Sequence, residues 1–200
     1  MERFYLVPIS INMKDEILDY IQEFRDNKSD IHGIGSIDKI NDKYLFEDAF
    51  EDCLKLEDDD YAEKINMCPG KLYFLIRESD NRIVGNINIR WNLNEKMLQY
   101  AGHIGYSIRP TERRKGYNKI NLYLILKKAQ EFNLDKVMLG CNVTNIGSDK
   151  TIIGLGGILE RTGTDPYDNE KTNVYWIDVN DSIEKYKDIY EQYISKERFR

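Results

Sequence analysis

The stretch from Gly102 to Tyr117 limits most strongly what this chain can fold into. Its first half, His103 to Ile108, is β-branched and aromatic, which favours a β-strand. Pro110 then ends the strand, because proline has no N–H group to donate to a sheet ladder. Three consecutive cations and Gly116 follow, and from Lys119 onward apolar residues recur at helical spacing. The local order is therefore strand, basic glycine turn and helix.

This order indicates an anion-binding site. The start of a helix leaves N–H groups without partners inside the helix and carries a partial positive charge. Gly116 lets the backbone approach a ligand closely, and Arg113, Arg114 and Lys115 add charge that a pyrophosphate can neutralise. The alternative is a solvated basic turn between a strand and an amphipathic helix. The strand, the glycine and the uninterrupted helix together favour the phosphate site.

Two motifs resemble a known family. The run Arg113-Arg-Lys-Gly-Tyr-Asn118 resembles the Q/R-x-x-G-x-G/A pyrophosphate loop of the GCN5-related N-acetyltransferase (GNAT) superfamily. Downstream, Asn145-Ile-Gly-Ser148 and Leu155-Gly-Gly-Ile-Leu-Glu160 resemble that family's next motif. The resemblance covers residues 71–178, more than half of the chain. Asn118 departs from the family's Gly or Ala, but asparagine tolerates unusual backbone angles and can donate a hydrogen bond.

The resemblance implies an α/β fold with three layers. It predicts a mixed, mainly antiparallel sheet of about six or seven strands, with splayed central strands and helices on both faces. The fourth and fifth strands should run parallel, because a helix crosses between them. We expect one domain over residues 1–200, with the motif-bearing core at 71–178 and a C-terminal helix at 181–197.

Hydrophobic spacing predicts the individual elements. Helices are predicted at 14–27 and 44–56, from 119 to near 133, and after Asn145. Strands are predicted at 3–9, 72–77, 82–90, 103–108, 136–141, 158–161 and 173–179. The stretches 57–70 and 162–172 are predicted to be loops, and Asp181 is predicted to cap the last helix.

Acetyl-CoA is the cosubstrate that the resemblance implies. Its pyrophosphate is expected at the turn, and its pantetheine arm is expected to pair with the backbone of the fourth strand. The residues implied in cofactor binding are Tyr106, Ser107, Ile108, Arg113, Arg114, Lys115, Gly116, Tyr117, Asn118, Lys119, Asn145 and Ser148.

Transfer to an amine requires a base and a proton donor, because an ammonium must lose a proton and the departing thiolate must gain one. His103 is a candidate base, since histidine titrates near neutrality and this one lies on the fourth strand. The alternative is a histidine held by packing, and His32 is a second candidate in a loop. Many family members protonate the thiolate with a tyrosine, where this chain has Ile152. Tyr106, Tyr117 and water remain candidate donors.

Composition limits the classes of partner. A net charge of −6 at pH 7 argues against a nucleic-acid-binding protein and suits a cationic acceptor such as an amine. No apolar run is long enough for a membrane helix, and the first residues lack the layout of a signal peptide, so no membrane partner is expected.

The cysteines indicate the compartment. Cys53, Cys68 and Cys141 are not spaced as metal ligands or as a disulfide framework, so we expect a reducing, cytoplasmic setting and no metal. Cys141 raises the alternative of a covalent acyl-enzyme. It ends an apolar strand without a basic neighbour in the sequence, which favours a structural thiol.

Taken with the resemblance, these features predict an acetyl-CoA-dependent N-acetyltransferase. The acceptor is a small-molecule or peptide amine that attacks the thioester directly in a ternary complex. One alternative is a non-catalytic acyl-CoA-binding module that lacks the usual acid. Another is a GNAT fold used for protein interaction through its tyrosine-rich tail, which could also form a homodimer contact.

Overall fold

The computed structural model describes residues 1–196, so residue 197 of the predicted C-terminal helix lies outside the described residues. The strands are β1 (Phe4–Pro8), β2 (Gly70–Arg77), β3 (Arg82–Arg90), β4 (Ile104–Ile108), β5 (Lys136–Asn142), β6 (Ile158–Thr164) and β7 (Lys171–Asp178). The α-helices are α1 (Lys14–Asp26), α2 (Phe46–Lys55), α3 (Asp59–Lys64), α4 (Tyr117–Glu131), α5 (Ile146–Ile153) and α6 (Val179–Tyr190).

The strands form two antiparallel sheets, one in the order β1-β2-β3-β4 and the other in the order β5-β7-β6. β4 and β5 come together at the start of β4, where the His103 N–H donates to the Met138 carbonyl at 2.8 Å. Gly102 forms an isolated bridge with Leu139 at the same place. In the described chain no ladder between β4 and β5 continues from there. The predicted splay is therefore present, while the expected parallel relation is not expressed as a ladder.

Apolar side chains on the two faces of the sheets form two cores. On one face, α1 and α2 pack on β1 to β3 through residues such as Tyr20, Phe24 and Phe74. On the other face lie α4 and α6, and Leu122 and Ile125 of α4 are fully buried there. Burial of these helices on opposite faces produces the three predicted layers.

Three elements differ from the sequence prediction. α3 lies in a stretch predicted to be a loop, and the Asp58 side chain caps it by accepting the Tyr61 N–H at 2.7 Å. β6 continues past Arg161 because it pairs with β7 as far as Thr164, although its side chains are mostly exposed and show no apolar alternation. α6 begins at Val179, one residue after its cap Asp178, and ends at Tyr190.

Candidate active site

The turn between β4 and α4 is open and left-handed at two positions. Arg114 has a φ of 65° and Gly116 a φ of 83°, and Gly116 is the N-cap of α4. A Cβ atom added to Gly116 would meet no atom within 4 Å, so space lies in front of the helix start. The Gly116 cap provides no side-chain hydrogen bond. The N–H groups of α4 before Lys119 are thus available to an anion, whereas the Lys119 N–H donates to the Gly116 carbonyl at 3.1 Å.

α1 fixes the position of this turn through buried charges. Arg109 is 1% exposed, and its guanidinium donates to the Ile83 carbonyl at 2.8 Å. It also pairs with Asp19 at 3.0 Å and with Glu23 at 2.8 Å. Glu23 in turn accepts the backbone N–H of Thr111 at 2.9 Å. These bonds tie the end of β4 to α1, so the turn cannot move independently of the first layer.

A second ionic network connects the turn to β2. Glu112 is 3% exposed, and its carboxylate accepts hydrogen bonds from Arg77 at 2.9 Å and from Lys115 at 2.8 Å. Burial alone would raise the pKa of Glu112, but the bonds from Lys115 and Arg77 lower it below its ordinary value. Glu112 therefore stays ionised and holds Lys115 within the turn.

The predicted phosphate-binding cations are engaged to different degrees. The Arg113 guanidinium donates to the Ile108 carbonyl at 3.0 Å and to the Ser29 hydroxyl at 2.7 Å. Lys115 pairs with Glu112, whereas Arg114 contacts no acidic side chain in the described part of the chain. All three cations are exposed, but two of them are engaged within the turn, and Arg114 has no ion-pair partner among the described residues.

Tyr117 and Lys119 also face away from the mouth of the turn. The Tyr117 hydroxyl donates to Glu2 at 2.8 Å, and its ring packs on Phe4 with centroids 4.6 Å apart. The Lys119 side chain crosses the end of α5, where its Cε atom would lie 2.9 Å from a Cβ added to Gly154. Both residues join α4 to its neighbours.

The backbone of β4 presents alternate residues to the splay. The Arg90 N–H donates to the His103 carbonyl at 2.8 Å, and the Arg109 N–H donates to the Val84 carbonyl at 2.9 Å. Because paired and unpaired positions alternate in an antiparallel ladder, Tyr106 and Ile108 direct their N–H and C=O groups away from β3. They face the gap toward β5, as the pantetheine prediction requires.

Ser107 is oriented differently from its two neighbours. Its backbone faces Asn86 of β3 by the same alternation. Its hydroxyl accepts the His32 N–H at 2.7 Å and contacts the His32 carbonyl at 3.2 Å. The structure therefore places Ser107 against the α1–α2 loop rather than against the splay.

Tyr106 joins β4 to α5 across the splay. Its hydroxyl lies 2.6 Å from the Ser148 Oγ. Burial raises the pKa of Tyr106 far above its ordinary value, and this effect exceeds the opposing one of the hydrogen bonds from Ser148 and Asn118. The phenol thus stays protonated at neutral pH. Ser148 lies one helical turn before Ile152, so the phenol sits close to where the family's usual tyrosine would be.

Asn118 and Asn145 act at two helix starts. Asn145 caps α5, because its Oδ1 accepts the Ser148 N–H at 3.0 Å. Asn118 turns inward toward Tyr106 and does not cover the open side of the turn. Its Oδ1 is buried and has no hydrogen-bond partner among the described residues. A buried acceptor of this kind fits a ligand that brings an N–H group.

Sequence reasoning missed a polar pair beside this site. The Tyr175 hydroxyl on β7 donates to Asp149 on α5. Burial, followed by the bond to Asp149, raises the pKa of Tyr175 to about 12. The two residues are 26 positions apart, and no spacing signal connects them. Only the packing of α5 on the second sheet brings them together.

His103 is held as a neutral, buried residue. Its Nδ1 accepts the Met138 N–H at 2.9 Å, so the neutral ring carries its proton on Nε2. Burial, followed by the charge of Arg90, lowers the pKa of His103 to about 4. An occupied Nδ1 and a low pKa favour the packed alternative over a general base.

None of the helices in residues 1–196 has the length and apolar character needed to span a membrane. The same residues contain no cluster of three or more His, Cys, Asp or Glu side chains placed to hold a metal ion.

Comparisons with known proteins agree with this geometry. The model of the acetyltransferase (GNAT) family matches residues 40–156 of this chain. No curated protein sequence matches the chain.

Several solved structures share the fold. The chain is similar to a ribosomal-protein-S5-alanine acetyltransferase from Vibrio fischeri, with a TM-score of 0.64 and 18% identity over 90% of this chain and 96% of that one. It is similar to RimL, a ribosomal L7/L12 α-N-protein acetyltransferase in complex with coenzyme A, with a TM-score of 0.63 and 14% identity over 88% and 96% of the two chains. A spermidine/spermine N-acetyltransferase SpeG from Vibrio cholerae gives a TM-score of 0.60 and 12% identity over 92% and 98%. At these identities the similarity shows a common fold. Because the family match spans more than half of its length, the chain belongs to the acetyltransferase (GNAT) family.

Proposed function

We propose that this N-acetyltransferase moves the acetyl group of acetyl-CoA to a primary amine by direct attack within a ternary complex. One observation carries the proposal: the gap between β4 and β5 leads to an open, left-handed glycine turn at the start of α4. This combination offers backbone groups for an extended arm and N–H groups for a pyrophosphate. The family of the chain supports acetyl transfer to an amine.

The residues of the site fit coenzyme A. The turn at 113–117 would hold the pyrophosphate, with Arg114 adding charge. The main chain of Tyr106 and Ile108 would bind the pantetheine arm in strand-like fashion, although Arg113 already donates to the Ile108 carbonyl. The buried Asn118 Oδ1 is a suitable acceptor for an amide N–H of that arm. RimL, which shares the fold, has been solved with coenzyme A.

The acetyl transfer is proposed to take place at the gap between β4 and β5. The amine nitrogen attacks the thioester carbonyl carbon and gives up a proton to a base, the C–S bond breaks, and the thiolate takes a proton from an acid. Tyr106 projects to the α5 side, where its phenol lies 2.6 Å from the Ser148 Oγ and carries a proton that it can supply. Backbone N–H groups at the splay can stabilise the oxyanion, and positioning by the turn supplies much of the remaining catalysis.

A matched pair of substitutions distinguishes the roles of His103 and His32. His103→Asn keeps an acceptor for the Met138 N–H and should leave the pH–rate profile unchanged. In the parent protein the lowered pKa of His103 disfavours protonation in the folded state, so the free energy of unfolding falls as pH drops from 6.5 toward about 4. His103→Asn should remove this part of the pH dependence. This pKa shift corresponds to about 3 kcal/mol in the free energy of unfolding.

His32 is the exposed histidine, and its main chain is bonded to Ser107 of β4 and to Asn86. If it removes the proton from the amine, His32→Gln should lower the rate most on the acidic side. Rate profiles and urea unfolding at pH 4 to 8 measure both variants. A folded His103→Asn enzyme that loses its acidic-side rate would instead make His103 the base.

Direct transfer is tested by following thiol release from acetyl-CoA with a library of amines. Cys141 is 7% exposed, and burial, followed by the charge of Asp149, raises the pKa of its thiol to about 11. It is thus a poor nucleophile at neutral pH. Cys141→Ala should keep turnover within about threefold, since only packing is lost. Loss of turnover with acetyl-Cys141 trapped by mass spectrometry in the parent protein would contradict direct transfer. CoA binding without turnover on any amine would leave a non-catalytic binding module.

The acceptor is proposed to be a small molecule or a peptide amine, and the setting a reducing cytoplasm. The three cysteines are free and buried, which suits a reducing compartment. Proteins of the same fold include acetyltransferases of ribosomal proteins and of spermidine.

A further inference from the structure

A row of mostly polar residues crosses the α1 face of β3 and β4. Alternate residues of a strand share a face, and Asn86 lies opposite Phe74, which belongs to the core beneath α1. His103 continues the β4 side of the row, because its carbonyl accepts the Arg90 N–H. The row consists of Asn86, Asn88 and Arg90 on β3, and of Ser107, Gly105 and His103 across from them.

The Asn86 end of this row is covered, and its side chain has hydrogen-bond partners. Asn86 accepts the Tyr20 hydroxyl at 2.8 Å and donates to the His32 carbonyl at 2.8 Å. Gly33 packs so closely that a Cβ added to it would lie 2.1 Å from the Gly105 carbonyl oxygen. The α1–α2 loop therefore covers the row as far as Gly105, and the remaining part begins at Asn88.

Arg90 ends the row without a carboxylate partner. Its Nη1 donates to the Gly102 carbonyl at 2.9 Å, and no acidic side chain of residues 1–196 forms an ion pair with it. Burial lowers the pKa of Arg90, and the charge interaction that opposes this comes from the Cys68 thiol. By contrast, Arg77 and Arg109 each contact two carboxylates within 3.0 Å. Arg90 remains partly accessible, so a ligand can reach it.

Burying a guanidinium that has no carboxylate partner costs free energy, and binding of an anion offsets that cost. Its planar fork matches the oxygens of carboxylates and phosphates and binds them with two parallel hydrogen bonds. The hydrogen bond to the Gly102 carbonyl uses Nη1 of Arg90. The other N–H donors of the guanidinium remain for a ligand.

The position of Arg90 relates it to the transfer site. Arg90 lies opposite His103, which precedes Tyr106 by three residues, or about 10 Å along a strand. An acceptor whose anion lies about 10 Å from its reacting amine, as in an extended tripeptide, spans that distance. The polar row lies on the α1 face and Tyr106 projects to the α5 face, so amine and proton donor would approach the thioester from opposite sides.

We propose that Arg90 binds an anionic group of the acceptor, so that the substrate is a primary amine that also carries a carboxylate or a phosphate. This rests on the transferase function proposed above. It predicts discrimination against polyamines, because each additional ammonium group would meet the positive charge of Arg90.

Matched pairs of acceptors test the proposal. Triglycine is compared with triglycine amide, and 6-aminohexyl phosphate with 6-aminohexanol, at saturating acetyl-CoA with the full-length enzyme. The ratio of kcat/KM for the anionic over the neutral member should be at least about tenfold in one of the pairs, and the pair that shows it identifies the anion. In Arg90→Gln the ratio should fall to about one. The exposed Arg3, one residue before the edge strand β1, is the control, and Arg3→Gln should keep the ratio and the activity.

Several outcomes would overturn it. These are a ratio that persists in Arg90→Gln, a preference for the neutral member in both pairs, or better turnover of spermidine than of either anionic acceptor. Circular dichroism and an unchanged Kd for CoA show that the variant is folded, and Arg90→Lys, which keeps the charge but not the fork, should give an intermediate ratio.

Absence of all turnover would contradict the transferase proposal separately. The anion site would then be tested by calorimetry, using N-acetyltriglycine and 6-aminohexyl phosphate with the CoA complex. Binding of one of them at least tenfold tighter to the parent protein than to Arg90→Gln supports the site, and equal or absent binding overturns it.

Discussion

Gly116→Val is expected to raise the dissociation constant for CoA by at least about 100-fold, or about 2.7 kcal/mol, while the protein stays folded. Gly116 has a φ of 83°, a conformation that a β-branched residue adopts only with strain. Space in front of Gly116 is empty of protein atoms, so a valine would not disturb the core. It would instead reshape the turn and occupy the place where a pyrophosphate approaches the N–H groups of α4.

The strain itself needs a control. Gly35 also has a positive φ, 64°, and its added Cβ would have 3.5 Å to its nearest neighbour, the Cys53 sulfur. Gly35→Val should therefore cost a similar 1 to 3 kcal/mol of stability, by order of magnitude, without changing CoA affinity. Calorimetry with CoA measures both variants, and denaturant unfolding measures their stability. An unchanged affinity in Gly116→Val would remove the turn from the site.

Tyr106→Phe should lower kcat about 100-fold, the lower end of what a positioned acid contributes, with little change in KM for acetyl-CoA. The phenol is the titratable group that the structure places on the α5 side of the splay, in hydrogen-bond contact with Ser148. Phenylalanine keeps the ring and removes only the hydroxyl. Loss of its bond to Ser148 should cost about 1 kcal/mol of stability.

Tyr117→Phe is the matched control, because it removes a tyrosine hydroxyl nine residues after the same strand. That hydroxyl contacts Glu2 on the surface, so kcat should stay within about twofold. Steady-state kinetics with a reporter amine measure both variants. If Tyr106→Phe also keeps its kcat within twofold, solvent water protonates the thiolate and Tyr106 is a packing residue.

Features that depend on neighbours in the chain were predictable. The strand–turn–helix order, the glycine at the turn and the amphipathic helices follow from backbone preferences and periodicity, which act over a few residues. β1, β3 and α1 accordingly lie within about one or two residues of their predicted bounds. The motifs around Gly116 and Asn145 identified the family for the same reason.

Contacts between distant residues decided the rest. Arg113 looked like a phosphate ligand, yet Ser29, 84 positions away, takes part of its guanidinium. His103 looked like a base until Met138 occupied its Nδ1. Tyr106 acquired a partner 42 positions away in Ser148.

The physical reason is common to all three residues. Protonation and hydrogen bonding depend on burial and on which donor or acceptor lies opposite, and both are properties of packing between elements. The order of strand and phosphate-binding turn was readable from the residues alone, whereas the side chains left without a partner depend on packing between distant elements. Arg90, across from the beginning of β4, is an example, because it lies beside Gly102 and forms no ion pair with a carboxylate of residues 1–196.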